Sequence, residues 1–112
     1  TVFALPEVQL GMIPAAGGTQ TLPRVVGRSQ ALDLLLTGRR IESEEALEMG
    51  LVTRLTAPES LRDEAWQLTA SLAEPTTEAM VGMKQLLRQG MDLDLPRALE
   101  LERRVAARLA SS

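Results

Sequence analysis

Glu7 is the residue whose type and surroundings point most directly to chemistry. It follows Pro6 at the end of an apolar run, Val2-Phe3-Ala4-Leu5, and precedes a turn punctuated by Gly11, Pro14, Gly17 and Gly18. A carboxyl at the mouth of a packed core is placed to exchange protons, because withdrawal from water favours its neutral form. Leu5, Leu10 and Ile13 are the apolar neighbours expected to supply that withdrawal. The rest of the composition leaves acid–base work to such a group. The chain has no His, Cys or Tyr, and Lys84 is its only lysine. Imidazole, thiolate and disulfide chemistry are therefore excluded, and the commonest metal ligands are missing.

The elements around Glu7 follow from hydrophobic periodicity and turn residues. Val2–Leu5 has the length and composition of a short buried strand, and Pro6 marks its end. Gly17-Gly18 is neither a dinucleotide fingerprint nor a phosphate loop, so it is expected to serve close packing or positive φ. Thr19–Val26 is open to helix or turn, with Pro23 limiting its regularity. Ser29 reads as the cap of an apolar, buried helix carrying Ala31, Leu32, Leu34, Leu35 and Leu36 and ending at Gly38. Ser43 reads as the cap of a short helix that closes at Gly50, with Glu44 and Glu45 in its first turn. Leu51–Leu55 is the second strand candidate.

Three longer helices are expected in the second half. One opens at Pro58-Glu59, places Leu61, Ala65, Leu68 and Leu72 at helical spacing, and closes before Pro75. The next is capped by Thr76, carries Met80, Met83, Leu86 and Leu87, and ends at Gly90. The last is capped by Asp94, with Pro96 in its first turn and a stripe of Leu95, Leu99, Val105, Ala106 and Leu109. Glu100 stands three and four positions before Arg103 and Arg104, a favourable helical spacing. The fold class expected is α+β and mainly helical, with one or two short strands and about five to six helices.

The bulk properties bound the function. At 112 residues the chain is at most one domain with one modest core. A net charge of −3 argues against a general nucleic-acid or anionic-membrane binder. No apolar run is long enough to cross a bilayer and no signal peptide is visible, so a cytoplasmic setting is expected. The chain starts at Thr1 inside a strand-like run, and the simplest expectation is the C-terminal part of a longer protein.

Pro6-Glu7, Gly11, Pro14 and Gly17-Gly18-Thr19 hold fixed spacing over fourteen positions. Leu22-Pro23-Arg24, Gly27, Ala31, Thr37-Gly38, Glu45-Ala46 and Gly50-Leu51-Val52 continue the pattern. Together they resemble the enoyl-CoA hydratase/isomerase (crotonase) family. The resemblance implies the C-terminal part of a crotonase-like (ClpP/crotonase) fold. Residues 1–57 would end its core and residues 58–112 would be helices for assembly. It implies that Glu7 is a catalytic acid/base exchanging a proton with the carbon beside a thioester carbonyl. A second glutamate and an oxyanion hole of two backbone N–H groups belong to the family's first half, which this chain lacks. Ala15 stands where the family commonly has Gly, whose backbone N–H lies near the catalytic water. Lys84 is the implied coenzyme A contact, among the cations Arg88, Arg103, Arg104 and Arg108. No cofactor is implied, since coenzyme A is part of the substrate. The implied partners are an acyl-CoA thioester and further copies of the chain, as trimers or hexamers, with no nucleic acid and no membrane.

Three functions remain open on these grounds. The first is hydration of the 2,3 double bond of an enoyl-CoA, with Glu7 giving the α-proton. The second is isomerisation of the double bond, with Glu7 shuttling a proton between carbons. The third is a non-catalytic helical assembly module. Glu42, Glu44, Glu45 and Glu48 read as a solvated face rather than as substitutes for the second acid, and Met80, Met83 and Met91 as core or interface filler.

Overall fold

A computed structural model describes residues 1–111 of the chain. It has two compact units, Thr1–Pro58 and the residues from Glu59 onward. Among the described residues there are six α-helices and two short strands, as the α+β, mainly helical class requires.

In the first unit, β1 (Val2–Phe3) pairs antiparallel with β2 (Ile41–Glu42), Val2 opposite Glu42 and Phe3 opposite Ile41. A 3-10 turn over Pro6–Leu10 follows β1. Then come α1 (Gly18–Val26), α2 (Arg28–Thr37), β2 and α3 (Ser43–Glu48). The core is built from Leu22 and Val26 of α1, Ala31 and Leu34 of α2, Ile41 of β2, and Ala46 and Met49 around α3. Phe3, Leu5, Leu51 and Val52 pack on its margin. Ile41 is 2% exposed, and full burial of such a side chain stabilises by about 1.5–3 kcal/mol.

Five local expectations are corrected. Residues Leu51–Leu55 form no strand. Gly50 takes φ +80° after α3, and the amides of Leu51 and Val52 both donate to the Ala46 carbonyl, at 2.9 and 3.2 Å. Those donors are closed into the helix terminus instead of a ladder, and β1 pairs with Ile41–Glu42. The strand at the N-terminal side is also shorter than Val2–Leu5, ending at Phe3. Ser29 does not cap α2. Gly27, at φ +88°, is the one residue between α1 and α2, and its freedom to reverse the chain sets the boundary. Ser43 does not cap α3 either. Glu42 holds the extended cap conformation as the last residue of β2, and Ser43 is already helical. α2 is less buried than its leucines suggest, since Leu32 and Leu36 are exposed.

In the second unit, a 3-10 turn over Pro58–Ser60 leads to α4 (Leu61–Leu72), followed by α5 (Thr77–Gly90) and α6 (Leu95–Ala110). Both expected caps form. The Ala79 amide donates to Thr76 Oγ1 at 3.3 Å, and the Arg97 amide donates to Asp94 Oδ1 at 3.0 Å. α5 and α6 pack closely at Gly82, where a Cβ would meet Val105 Cγ1 and Leu109 Cδ1, each at 3.3 Å. The missing side chain is what lets the two helices approach. The apolar stripes therefore divide. Val105 is buried and Met80, Leu86 and Leu109 are half-buried, whereas Met83, Leu87 and Leu99 are exposed. Among the described residues no Cα of α4 lies within 8 Å of α5 or α6, and of the α4 stripe only Leu68 is half-buried. Glu100 forms no ion pair with Arg103 or Arg104 among the described residues; an exposed pair gains little over the side-chain entropy it costs.

Candidate active site

Glu7 is the second residue of the 3-10 turn. Pro6 opens that turn, its fixed φ suiting a first helical position and its missing N–H costing nothing there. Gly11 closes it in the left-handed region at φ +69°, and the Met12 amide donates to the Glu7 carbonyl at 2.9 Å. The turn is tied to the far end of α2. Gln9 Nε2 donates to the carbonyls of Thr37 and Gly38, each at 3.3 Å.

The side chain of Glu7 is half-buried, and its Oε2 atom is buried without a hydrogen-bond partner among the described residues. An unpaired buried polar atom is costly, and a catalytic role is one of the reasons a folded protein keeps one. Glu7 lines a cavity of about 530 Å3 together with Phe3, Leu5, Pro14, Leu22 and Arg39. The apolar wall differs from the one expected. Leu5 contributes, but Leu10 and Ile13 are 75% and 74% exposed, and Pro14 and Leu22 stand in their place. Leu10 ends the short turn and Ile13 lies in the open segment after it, so neither folds back on Glu7.

Gly17 and Gly18 shape the neighbouring edge of the cavity. Gly17 takes φ +99° at the entry to α1, and a Cβ on Gly18 would meet Pro14 Cβ at 3.0 Å and Leu5 Cδ1 at 3.2 Å. The pair gives both the positive φ and the close approach expected of it. Ala15 lies in the turn before α1 and is exposed, between Pro14 and Ala16, which both line the cavity. Its φ is negative, so its Cβ brings no backbone strain. Lys84 lies on α5 in the second unit, exposed and without an ion-pair partner among the described residues. Arg88, Arg103, Arg104 and Arg108 are exposed as well.

Sequence reasoning missed Arg39. Its Nε donates to Asp33 Oδ2 at 2.8 Å, and its Nη1 and Nη2 donate to the two oxygens of Glu45 at 3.0 and 2.6 Å. The bidentate bond to Glu45, then the bond to Asp33, hold the guanidinium well above its ordinary range. The same bond to Arg39 holds the Glu45 carboxyl below its usual value. Glu45 is thus an ion-pair partner and not part of a purely solvated face. Both spacings are six residues and cross Gly38 or β2, so no i,i+3 or i,i+4 rule exposes them. The one available signal was an Arg directly after the glycine that reverses the chain at the end of α2.

The fold and this site together define a carboxylate-centred cavity at a glycine-rich turn. Comparison with known proteins identifies the family. The enoyl-CoA hydratase/isomerase family model matches residues 1–112, and the chain belongs to that family. A Rhizobium meliloti protein named "Probable enoyl-CoA hydratase" is 40% identical over 103 residues, covering 92% of this chain and 40% of that protein. The carnitinyl-CoA dehydratase of Salmonella arizonae is 37% identical over 93 residues, covering 83% of this chain and 36% of that protein. Among solved structures, the enoyl-CoA hydratase of Bacillus anthracis superposes with a TM-score of 0.96 at 33% identity, covering all of this chain and 43% of that one. The chain thus spans about 40% of the length of the curated relatives it matches.

Proposed function

We propose that this chain contributes the acid/base glutamate of an enoyl-CoA hydratase, an enzyme that adds water across the 2,3 double bond of an acyl-CoA thioester. The observation that carries this reading is Glu7 Oε2, buried and unpartnered against an apolar cavity. In the reaction a water oxygen bonds to C3 of the thioester, the pair of the double bond moves toward the thioester oxygen, and the Glu7 carboxyl then gives its proton to C2. The proton that water loses replaces the one Glu7 gave. Charge accumulates on the thioester oxygen as an enolate, which needs donors to hold it. The acid that activates the water and those donors are assigned to the part of the relatives' length that this chain does not match. The Ala15 amide, beside the cavity, is assigned to the water.

No cofactor enters the reading, because coenzyme A arrives as part of the substrate. Lys84 is its proposed phosphate contact, supported by its exposure and its free charge. A homo-oligomer is part of the same reading, supported by Met83, Leu87 and Leu99, whose exposed apolar surface on α5 and α6 suits a subunit contact. A cytoplasmic setting is part of the same proposal. Among the described residues no helix is long and apolar enough to cross a membrane. We keep bond isomerisation as the second reading. Among the described residues Glu7 is the one carboxylate lining the cavity, and isomerisation needs only one acid to move a proton between carbons.

The test is Glu7→Gln in the complete protein, followed by loss of enoyl thioester absorbance. Removal of a general acid/base lowers the rate by about 10²–10⁴-fold. Near-normal turnover would remove Glu7 from the mechanism. Turnover of a 3-enoyl thioester, with none of the 2-enoyl form, would favour isomerisation.

A further inference from the structure

We infer that Gln9 is a positioning residue for Glu7, acting by clamping the Pro6–Leu10 turn to the C-terminus of α2. The inference rests on the acid/base reading of Glu7 and adds a residue that the reading does not assign.

The Glu7 carboxylate accepts no hydrogen bond among the described residues, and its Oε2 is buried. Its direction is therefore set by the backbone that carries it. That backbone is one 3-10 turn of five residues, too short to be rigid alone. Gln9 supplies the external hold. Its Nε2 donates to Thr37 and Gly38 carbonyls 28 and 29 positions away. The other side-chain hydrogen bonds of this unit span six positions or fewer. The acceptors are suited to it, since the last carbonyls of a helix have no partner within the helix.

Gly38 provides the seat. It sits at φ +62°, and a Cβ there would meet Gln9 Nε2 at 3.1 Å, Gln9 Cγ at 3.2 Å and the Pro6 Cα at 3.2 Å. Pro6 and Gln9 flank Glu7 on either side. The glycine that ends α2 is thus also what lets both flanks of the turn rest against that helix end. A displacement of about 1 Å in a reacting group can cost on the order of 100-fold in rate, so a clamp two residues from the acid affects turnover without touching substrate.

The experiment compares Gln9→Met, which keeps the length and removes the donor, with Gln9→Lys, which keeps a donor and adds a cation favoured at a helix C-terminus. Both are made in the complete protein, with Glu7→Gln alongside. Gln9→Met is expected to lower kcat by about 10–100-fold with little change in KM, and Gln9→Lys to recover most of it. Amide exchange at Met12, whose N–H donates to the Glu7 carbonyl, is expected to quicken in Gln9→Met and to return toward normal in Gln9→Lys. Unchanged kcat and unchanged exchange in Gln9→Met would overturn the clamp. Equal losses in both variants that follow a lowered Tm would also overturn it, reducing Gln9 to ordinary packing. Undiminished turnover in Glu7→Gln would remove the underlying reading as well. A loss in Glu7→Gln beside a normal Gln9→Met overturns the positioning role alone.

Discussion

Arg39 joins α2 to α3 through Asp33 and Glu45, and its pair with Glu45 links the first unit to pH. Glu45 is held below its usual value of 4.5, mainly by its hydrogen bonds to Arg39. A carboxyl lowered in the folded state stabilises the fold above the unfolded value and loses that contribution as pH falls through the folded one. The Tm of the complete protein is therefore expected to fall as pH drops below about 4.5. Glu45→Gln is expected to lower Tm at neutral pH and to flatten the slope in that acid window. Thermal melts at a series of pH values check both, and an unaltered slope in the variant would remove Glu45 from acid unfolding. At this scale the place of Glu7 beside a cavity was legible because a proline and the glycines after it mark a turn at the end of an apolar run. Arg39 was not, because its partners lie across turns whose geometry no local spacing rule encodes.

The helices were legible where one residue decides the boundary. Thr76 and Asp94 cap α5 and α6 through their own side chains, and Gly38 and Gly50 end α2 and α3 through positive φ. The strands were not, because they are two residues each and owe their existence to pairing. Ile41 and Glu42 contain no β-run of their own, whereas Leu51–Leu55 does and yet is claimed by the terminus of α3. β2 matters to the site because Ile41 joins the cavity wall and the core at once. Ile41→Ala is expected to destabilise the fold by about 2–5 kcal/mol, read from denaturant midpoints. A cost near zero would mean that β2 does not anchor the core.

Across the whole molecule, hydration of an enoyl thioester needs an activated water, a proton donor and a stabilised enolate oxygen. The described residues bring one carboxylate, Glu7, to the cavity, and the chain spans about 40% of the length of its curated relatives. Residues 1–112 alone are expected not to hydrate crotonyl-CoA, because one absent oxyanion donor costs about 2.7–4 kcal/mol in the transition state. Turnover by that chain alone at the level of the complete protein would contradict this. If the proposed oligomer forms through α5 and α6, Leu87→Glu together with Leu99→Glu is expected to break it in light scattering; both are exposed, whereas Leu109 packs on Gly82 and would test the internal fold instead. The most direct test of the central claim is proton transfer at C2 itself. The complete protein and its Glu7→Gln variant are each incubated with 3-hydroxybutyryl-CoA in deuterated water, and deuterium at C2 is followed by mass spectrometry. Glu7 as the acid/base predicts rapid incorporation in the first and incorporation slowed by about 10²–10⁴-fold in the second. Equal rates in the two proteins would contradict it.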